Sequence, residues 1–585
     1  MRFIEIFKYF HANIVNCNIL YLKSITEYLI IYKKVILEDI TLNLIFNEEN
    51  KMETKYIIGA VVAIIAIIGI GAVVMGGGSN EHAPNELVAC VAAHGEEPEF
   101  GFDPMHGWGY HDSGTEPLIQ STILKRDKDN EFVKDLATDY SISDDLKTYT
   151  VTIRDDVKFT DGSKLTAKDV AFSYNKAKEL GEGADLSSMD EAKADGNKVV
   201  FKLNKKDSTF INKLTDVGIV PEANYDEDAY GKNPIGSGPY KLAQWDKGQQ
   251  FILEKNPDYY GEEPYFEKIT NLFLDPDAAF AAVKNGDVDI AEVQLAYANE
   301  KIDGYHMEYF DSIDVRGISL PTQKDTGKLS EDNITIGNNV TGDPAIREAL
   351  NIGINREDLL DGAFNGYGNV SYNGVANQLP WAFESDFKDG QVDEAKKVLA
   401  DAGWKDTDGD GIVEKDGTPA AFSVYYNSKA TERQAIAVAV AEQAKELGID
   451  ITPVGGSWDD IGPNIYSQGV VWGFGSADPF EIEHQYDSRV ACVGYDNTEG
   501  LNDSAVDSMI DAAMAQELDS SYGTWSDAAK QATSSYPYLW IGTVDYTYFV
   551  SDDLDISADT HLIYPHGGDI WGNIYDWERV NATEA

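Results

Sequence analysis

The stretch "GFDPMHGWGYHDSG", residues 101–114, gathers His106, Trp108, Tyr110 and His111 in one glycine-rich loop. At neutral pH an imidazole is largely uncharged, so its nitrogen is free to ligate a metal ion. The indole of Trp108 and the phenol of Tyr110 can close over such a ligand or stack on a chelator ring. A second stretch, "IYPHGGDIWGNIYDWE" at 563–578, carries one histidine, His566. A third, "VVWGFGSADPFEIEHQYDSRVACVGYDN" at 470–497, offers Trp472 and Tyr495 as an apolar wall. Its Arg489 can clamp a carboxylate through two parallel hydrogen bonds. His484 falls at helical spacing from Phe480 and reads as packed rather than liganding. For the loop residues the competing reading is structural: an exposed loop with a tryptophan that packs.

"DTDGDGIVEKDG", 406–417, sets Asp406, Asp408 and Asp410 at alternating positions before Gly411, like the first half of a calcium loop. The bidentate acid expected at the twelfth position is Gly417, with Glu414 or Asp416 as substitutes. A plain acidic hairpin is the favoured reading and a weak structural Ca²⁺ the alternative. No GxSxG, HExxH or phosphate-cradling loop is present, so the reading is a binding protein, not an enzyme, with no cofactor. Asn333, Asn339, Asn369, Asn502 and Asn581 each begin an N-x-Ser/Thr sequon.

Asp and Glu number 100 against 47 Lys and Arg, a formal charge of −53. Such a surface repels nucleic acid and anionic lipid, which excludes both as partners. At 585 residues with 43% hydrophobic and 11% aromatic content, the chain has the material for several packed lobes. "YIIGAVVAIIAIIGIGAVVM", 56–75, carries no charge and has the length of a bilayer span. Lys51 and Lys55 precede it and an acidic chain follows, which puts residues 76–585 outside the cell on an uncleaved anchor. Residues 1–51 form no clean span and read as an upstream extension, with Met52 the natural start. Of the three cysteines, Cys90 and Cys492 lie beyond the span; a disulfide between them is permitted but has no support in the spacing.

Strand and helix patterns alternate along the exported part, which predicts α/β lobes with mixed sheets. "ELVACVAAHG", "KTYTVTIRDDVKF", "KVVFKL", "QQFILEKN" and "IDITPV" read as strands. "SKLTAKDVAFSYNKAKEL" reads as a helix with Thr166 as N-cap and Asp169 three residues on. "DPDAAFAAVKNG", "PAIREALNIGINREDLLDGAF" and "ERQAIAVAVAEQAKELG" read as further helices. "PIGSGPY" is a turn in which Gly236 and Gly238 can take positive φ, and Asp161-Gly162 supplies a hairpin turn.

Four segments in order carry a family likeness: "LATDYSISDDLKTYTVTIRDDVKFTDGSKLTAKDVAFSYNKA", "NPIGSGPYKLAQWDKGQQFILEKNPDYYGEEPYFEKI", "DPAIREALNIGINREDLL" and "DEAKKVLADAGW". Together they resemble the extracellular solute-binding proteins of the peptide and nickel ABC importers (family 5). The likeness runs from about 86 to 585 and implies a two-lobed periplasmic-binding-protein-like clamshell with an inserted subdomain. It implies lobe I from 86–118, 236–315 and 500–585, an inserted subdomain at 119–235, and lobe II at 316–499, after a linker at 76–85. Ligand is enclosed by lobe closure and passed, by an expected monomer, to the permease and ATPase subunits.

Nickel-associated members resemble this chain at "FDP…GWG", so the first reading is capture of nickel, as a chelate, with His106, Trp108, Tyr110 and His566 facing it. Near the C-terminus those members carry a multi-histidine run in which Tyr564 and Gly568 stand here, leaving His566 alone. The arginine that holds a chelate's carboxylates in some nickel members has no match. Arg316, in "SIDVRGISLP", is the substitute, or else a hinge salt bridge. Peptide-binding members have an acid three positions before "DP" that grips the peptide's amino group; here it is Gly475. A peptide receptor is the alternative, and a cell-surface sensor or enzyme on the same fold the remaining one.

Overall fold

Three sheets organise the chain in the computed structural model, which describes residues 83–91, 97, 100–106, 118–385, 387–561, 564–568 and 570–580. The expected span at 56–75, the extension at 1–51, and Trp108, Tyr110 and His111 lie outside the described residues. Among the described residues no helix is long and apolar enough to cross a membrane.

The first sheet has seven strands in the order Tyr305–Phe310, Tyr546–Ser551, Ile290–Glu292, Glu86–Cys90, Lys268–Leu272, Gln250–Lys255, Tyr240–Asp246. Glu86–Cys90 runs parallel to both its neighbours, and the other pairings are antiparallel. The second sheet has six strands in the order Gly368–Val370, Tyr538–Val544, Val315–Ser319, Gly469–Phe474, Ala421–Asn427, Asp450–Gly456. These two mixed sheets, each with apolar clusters against it, are the lobes. The inserted subdomain holds a four-stranded antiparallel sheet in the order Ala137–Ile142, Thr148–Ile153, Lys198–Leu203, Met189–Asp195, closed by the helix Ala167–Leu180. That helix starts at the expected capping box: Asp169 Oδ2 accepts from the Thr166 N–H at 2.8 Å and Thr166 Oγ1 from Lys168 N–H at 3.3 Å.

The chain passes between the lobes at residues 311–314, which link Tyr305–Phe310 to Val315–Ser319. It passes back at Asp545, between Tyr538–Val544 and Tyr546–Ser551. Sheet membership therefore moves one expected boundary. Residues from 500 onward read as lobe I in the sequence. The helices Ser504–Met514 and Leu518–Thr533 instead pack with Val315, Trp472 and Tyr538 of lobe II. The cause is Tyr538–Val544, which is buried at every residue because it is an inner strand of the lobe II sheet.

Two local expectations also change. The helix expected across 344–364 is two, Pro344–Gly353 and Arg356–Phe364. Ile354 turns extended, and Asn355 caps the second helix by accepting from Asp358 N–H at 3.2 Å. Gly236 and Gly238 do not take positive φ. They are required by close approach: a Cβ at 236 would lie 1.9 Å from the Ile119 carbonyl oxygen, and one at 238 would lie 2.5 Å from that of Leu118. Gly162 does take positive φ, at 83°, in the expected hairpin turn.

Candidate functional site

A cavity of about 390 Å³ opens between the lobes, with walls from both. Lobe I contributes Glu292 to Ala296, Cys90 and Tyr546; lobe II contributes Arg316, Lys429, Thr431 and Glu432; the crossing residue Asp545 joins them. The volume is at the small end of ligand-binding cavities.

The floor is set by the first crossing. Asp314 is fully buried, ion-paired with Arg316, and faces His566 Nδ1 at 2.9 Å and the Tyr546 hydroxyl at 3.0 Å. Arg316 reaches on to Glu432 at 3.5 Å. A register shift between Arg316 and Gly317 in the pairing with Tyr538–Val544 re-aims this part of the strand. Gly473 leaves the room, since a Cβ there would lie 2.4 Å from Arg316 Nη1 and 2.6 Å from the His566 ring. Burial alone would raise the Asp314 carboxyl, but Arg316, His566 and Arg433 together hold it well below the usual range. Desolvation at the cluster, with Arg316 and Arg433 beside it, lowers the His566 imidazole despite Asp314 and although its side chain is 40% exposed, which favours its neutral form. Facing an ionised carboxylate, Nδ1 must carry the proton. This is the tautomer that a metal-ligating histidine needs at its other nitrogen.

The sequence-predicted residues do not assemble in one place. Arg316 and His566 share the hinge cluster. Trp472 and Tyr495 lie against each other away from this cavity's lining, their rings 5.9 Å apart and edge-on, and Trp458, which has no part in the sequence reading, stacks on Trp472 at 5.5 Å. The Trp472 indole N–H donates to Ser319 Oγ at 3.0 Å. Arg433 links these rings and the floor: its guanidinium lies 5.9 Å from the Trp458 ring and its neighbour Glu432 pairs with Arg316. Burial and Arg316 pull Arg433 down to about 10.

His106 belongs elsewhere, with Nδ1 2.7 Å from Glu182, Nε2 3.9 Å from Asp103, and its ring stacked on Phe100. Arg489 is taken up by Asp487 and Asp511 on the surface, so its fork is already filled. His484 packs edge-on against Phe480 and meets Asp496 at 2.9 Å, as its spacing suggested.

In the acidic loop, Asp406, Asp408 and Glu414 converge within 4.8 Å, without Asp410. Their oxygens cap their own loop: Asp406 accepts from Gly409 and Gly411 N–H, Asp408 from Asp410 N–H, and Glu414 from Thr407 N–H. Cys90 and Cys492 are buried free thiols, pushed up by burial to about 12 and about 11.

Cavity acids Glu292, Glu432 and Asp545 went unnoticed in the sequence because they sit on three distant segments with no motif around them. Another buried acid lies under the Tyr495 loop. Glu499 is sealed in the lobe II core beside Tyr538, and burial pushes it up to about 8 although the Tyr538 hydroxyl draws it down. The folded state thus keeps a proton that the unfolded chain has lost, so stability falls as pH rises from about 4.5 to about 8. Glu499→Gln removes this loss: urea titration should show the variant on the order of 3 kcal/mol more stable at pH 8 and near wild type at pH 4. Equal stability at pH 8 would contradict the assignment.

A family model for bacterial extracellular solute-binding proteins, family 5 (middle), matches residues 131–489. The oligopeptide-binding protein AppA of Bacillus subtilis (strain 168) is 30% identical over 433 residues, covering 68% of this chain and 76% of AppA. The structure of Bacillus subtilis AppA in complex with a nonapeptide superposes with a TM-score of 0.69 at 25% identity, covering 85% of this chain and 99% of that one. NikZ from Campylobacter jejuni in complex with Ni(L-His) superposes with a TM-score of 0.70 at 22% identity, covering 85% of this chain and all of that one.

Proposed function

This chain belongs to family 5 of the bacterial extracellular solute-binding proteins, receptors that serve ABC importers, and on that premise we propose that it captures a short peptide in the cavity between its lobes. One observation carries the reading. The cavity walls hold three carboxylates, Glu292, Glu432 and Asp545, against Arg316 and Lys429, and Arg316 is already paired with Asp314 and Glu432. A wall of that balance favours a ligand with a positively charged end. The small volume favours a peptide of a few residues. Closure of the lobes about residues 311–314 and Asp545 then shifts the population toward the form a permease recognises. Binding and closure need no bond chemistry, and the segment at 56–75 would hold the receptor at the membrane.

Nickel capture, the first reading of the sequence, keeps one specific support: the neutral His566 oriented by Asp314 beside Arg316. Calorimetric titration of the whole chain separates the two. Saturable heat with trialanine is the expected result. Heat with Ni²⁺ and L-histidine alone, lost in His566→Ala, would replace the peptide reading with the nickel one.

A further inference from the structure

Resting on the cavity reading above, we infer that the carboxylate of Asp545 anchors an ammonium group of the captured ligand. Asp545 occupies the chain's return crossing between the lobes and forms part of the cavity wall. The residue is 6% exposed, and Oδ1, a sealed atom, has no hydrogen-bond partner among the described residues. Its backbone N–H is spent on the Tyr367 carbonyl at 3.3 Å, which fixes the residue without satisfying the side chain. Among the described residues no Lys, Arg or His forms an ion pair with it, and the one charge that acts on its carboxyl is a like one, Asp311. A buried carboxylate with unspent acceptor capacity costs stability, so at a ligand-cavity wall it is accounted for by a cation that arrives from outside.

Burial and Asp311 push the carboxyl up to about 7, and an incoming ammonium would draw its proton off. The cavity acids do not form a metal-ligating group: among the described residues only Asp406, Asp408 and Glu414 converge closely enough for one. Separated single carboxylates suit a hydrogen-bonding ammonium better than a bare divalent ion.

The test is calorimetric titration of the whole chain and of Asp545→Asn with three probes: trialanine, N-acetyl-trialanine, and Ni²⁺ with two equivalents of L-histidine. The wild type should bind trialanine and lose about 10- to 100-fold on acetylation. Asp545→Asn should lose a similar factor for trialanine and little for the acetylated peptide. Its urea midpoint should equal or exceed that of the wild type, since the substitution relieves a buried charge; a purely structural aspartate would lower it. Trialanine binding unchanged by Asp545→Asn, or unchanged by acetylation, would overturn the assignment while leaving the peptide reading in place. Binding of nickel–histidine alone would overturn the peptide reading. Because the amino nitrogens of nickel-bound histidine are held by the metal and are not ammonium groups, that result would overturn the Asp545 assignment with it.

Discussion

Asp314→Asn should be among the most damaging single changes to this protein. Asp314 is 0% exposed and is the shared partner of Arg316, His566 and Tyr546 at the point where the chain enters lobe II. Neutralising it leaves the Arg316 guanidinium, itself 3% exposed, with Glu432 at 3.5 Å as its remaining carboxylate partner among the described residues. Stranding a buried charge in this way costs about 3 kcal/mol. The loss should appear as a lower urea midpoint at pH 7, with ligand affinity falling as the cavity floor loosens. The sign with pH follows from a depressed carboxyl. The stabilisation is present above the unfolded value near 3.8 and is lost as pH falls below it toward the folded value. The variant should therefore differ most from wild type above pH 4 and least in strong acid. A midpoint at pH 7 within error of wild type would show that the cluster does not hold the hinge.

Gly475→Asp carries the second large expectation. It puts an acid three positions before "DP", where peptide-binding relatives resemble one another, and by sequence logic it should improve peptide binding. The structure predicts the opposite. A Cβ at 475 would lie 2.2 Å from the Ile313 carbonyl oxygen and 2.8 Å from the Asp314 Cα, both backbone atoms of the same crossing. Nothing there can give without moving the hinge. Gly475 also donates its N–H to Glu481 Oε1 at 2.9 Å and accepts from His566 N–H at 2.7 Å, so its backbone is fixed on both sides. Overpacking against rigid backbone costs about 1–3 kcal/mol or more. The variant should be destabilised and bind trialanine more weakly than wild type. Tighter binding at unchanged stability would mean that the crossing is more pliable than its packing indicates.

These two positions also mark how much was legible in the sequence. Periodicity and caps located the elements that depend on neighbours in the chain: the helix behind Thr166 and Asp169, the hairpin at Gly162, the strand ending at Cys90. The two-lobed family was legible from four ordered segments. Arg316 stood out only as a substitute for the chelate-holding arginine that the family resemblance implies. Its partners did not, since His566 is 250 residues away and Glu432 is on another element. The lobe boundary at 500 failed for a similar reason: nothing local in Tyr538–Val544 says which sheet receives it. His106 drew attention by its company in the loop, yet its contacts among the described residues are Glu182, Asp103 and Phe100. Asp545 drew none, because a lone aspartate between two strands has no signature until both lobes are in place.

The most direct measurement is hydrogen exchange of the whole chain with and without saturating trialanine. The cavity has one wall in lobe I around residues 292–296 and the other in lobe II around residues 429–435, joined at 544–547. Capture by closure predicts added protection in all three segments together. Protection confined to one lobe, or to the aromatic cluster of Trp458, Trp472 and Tyr495, would contradict it.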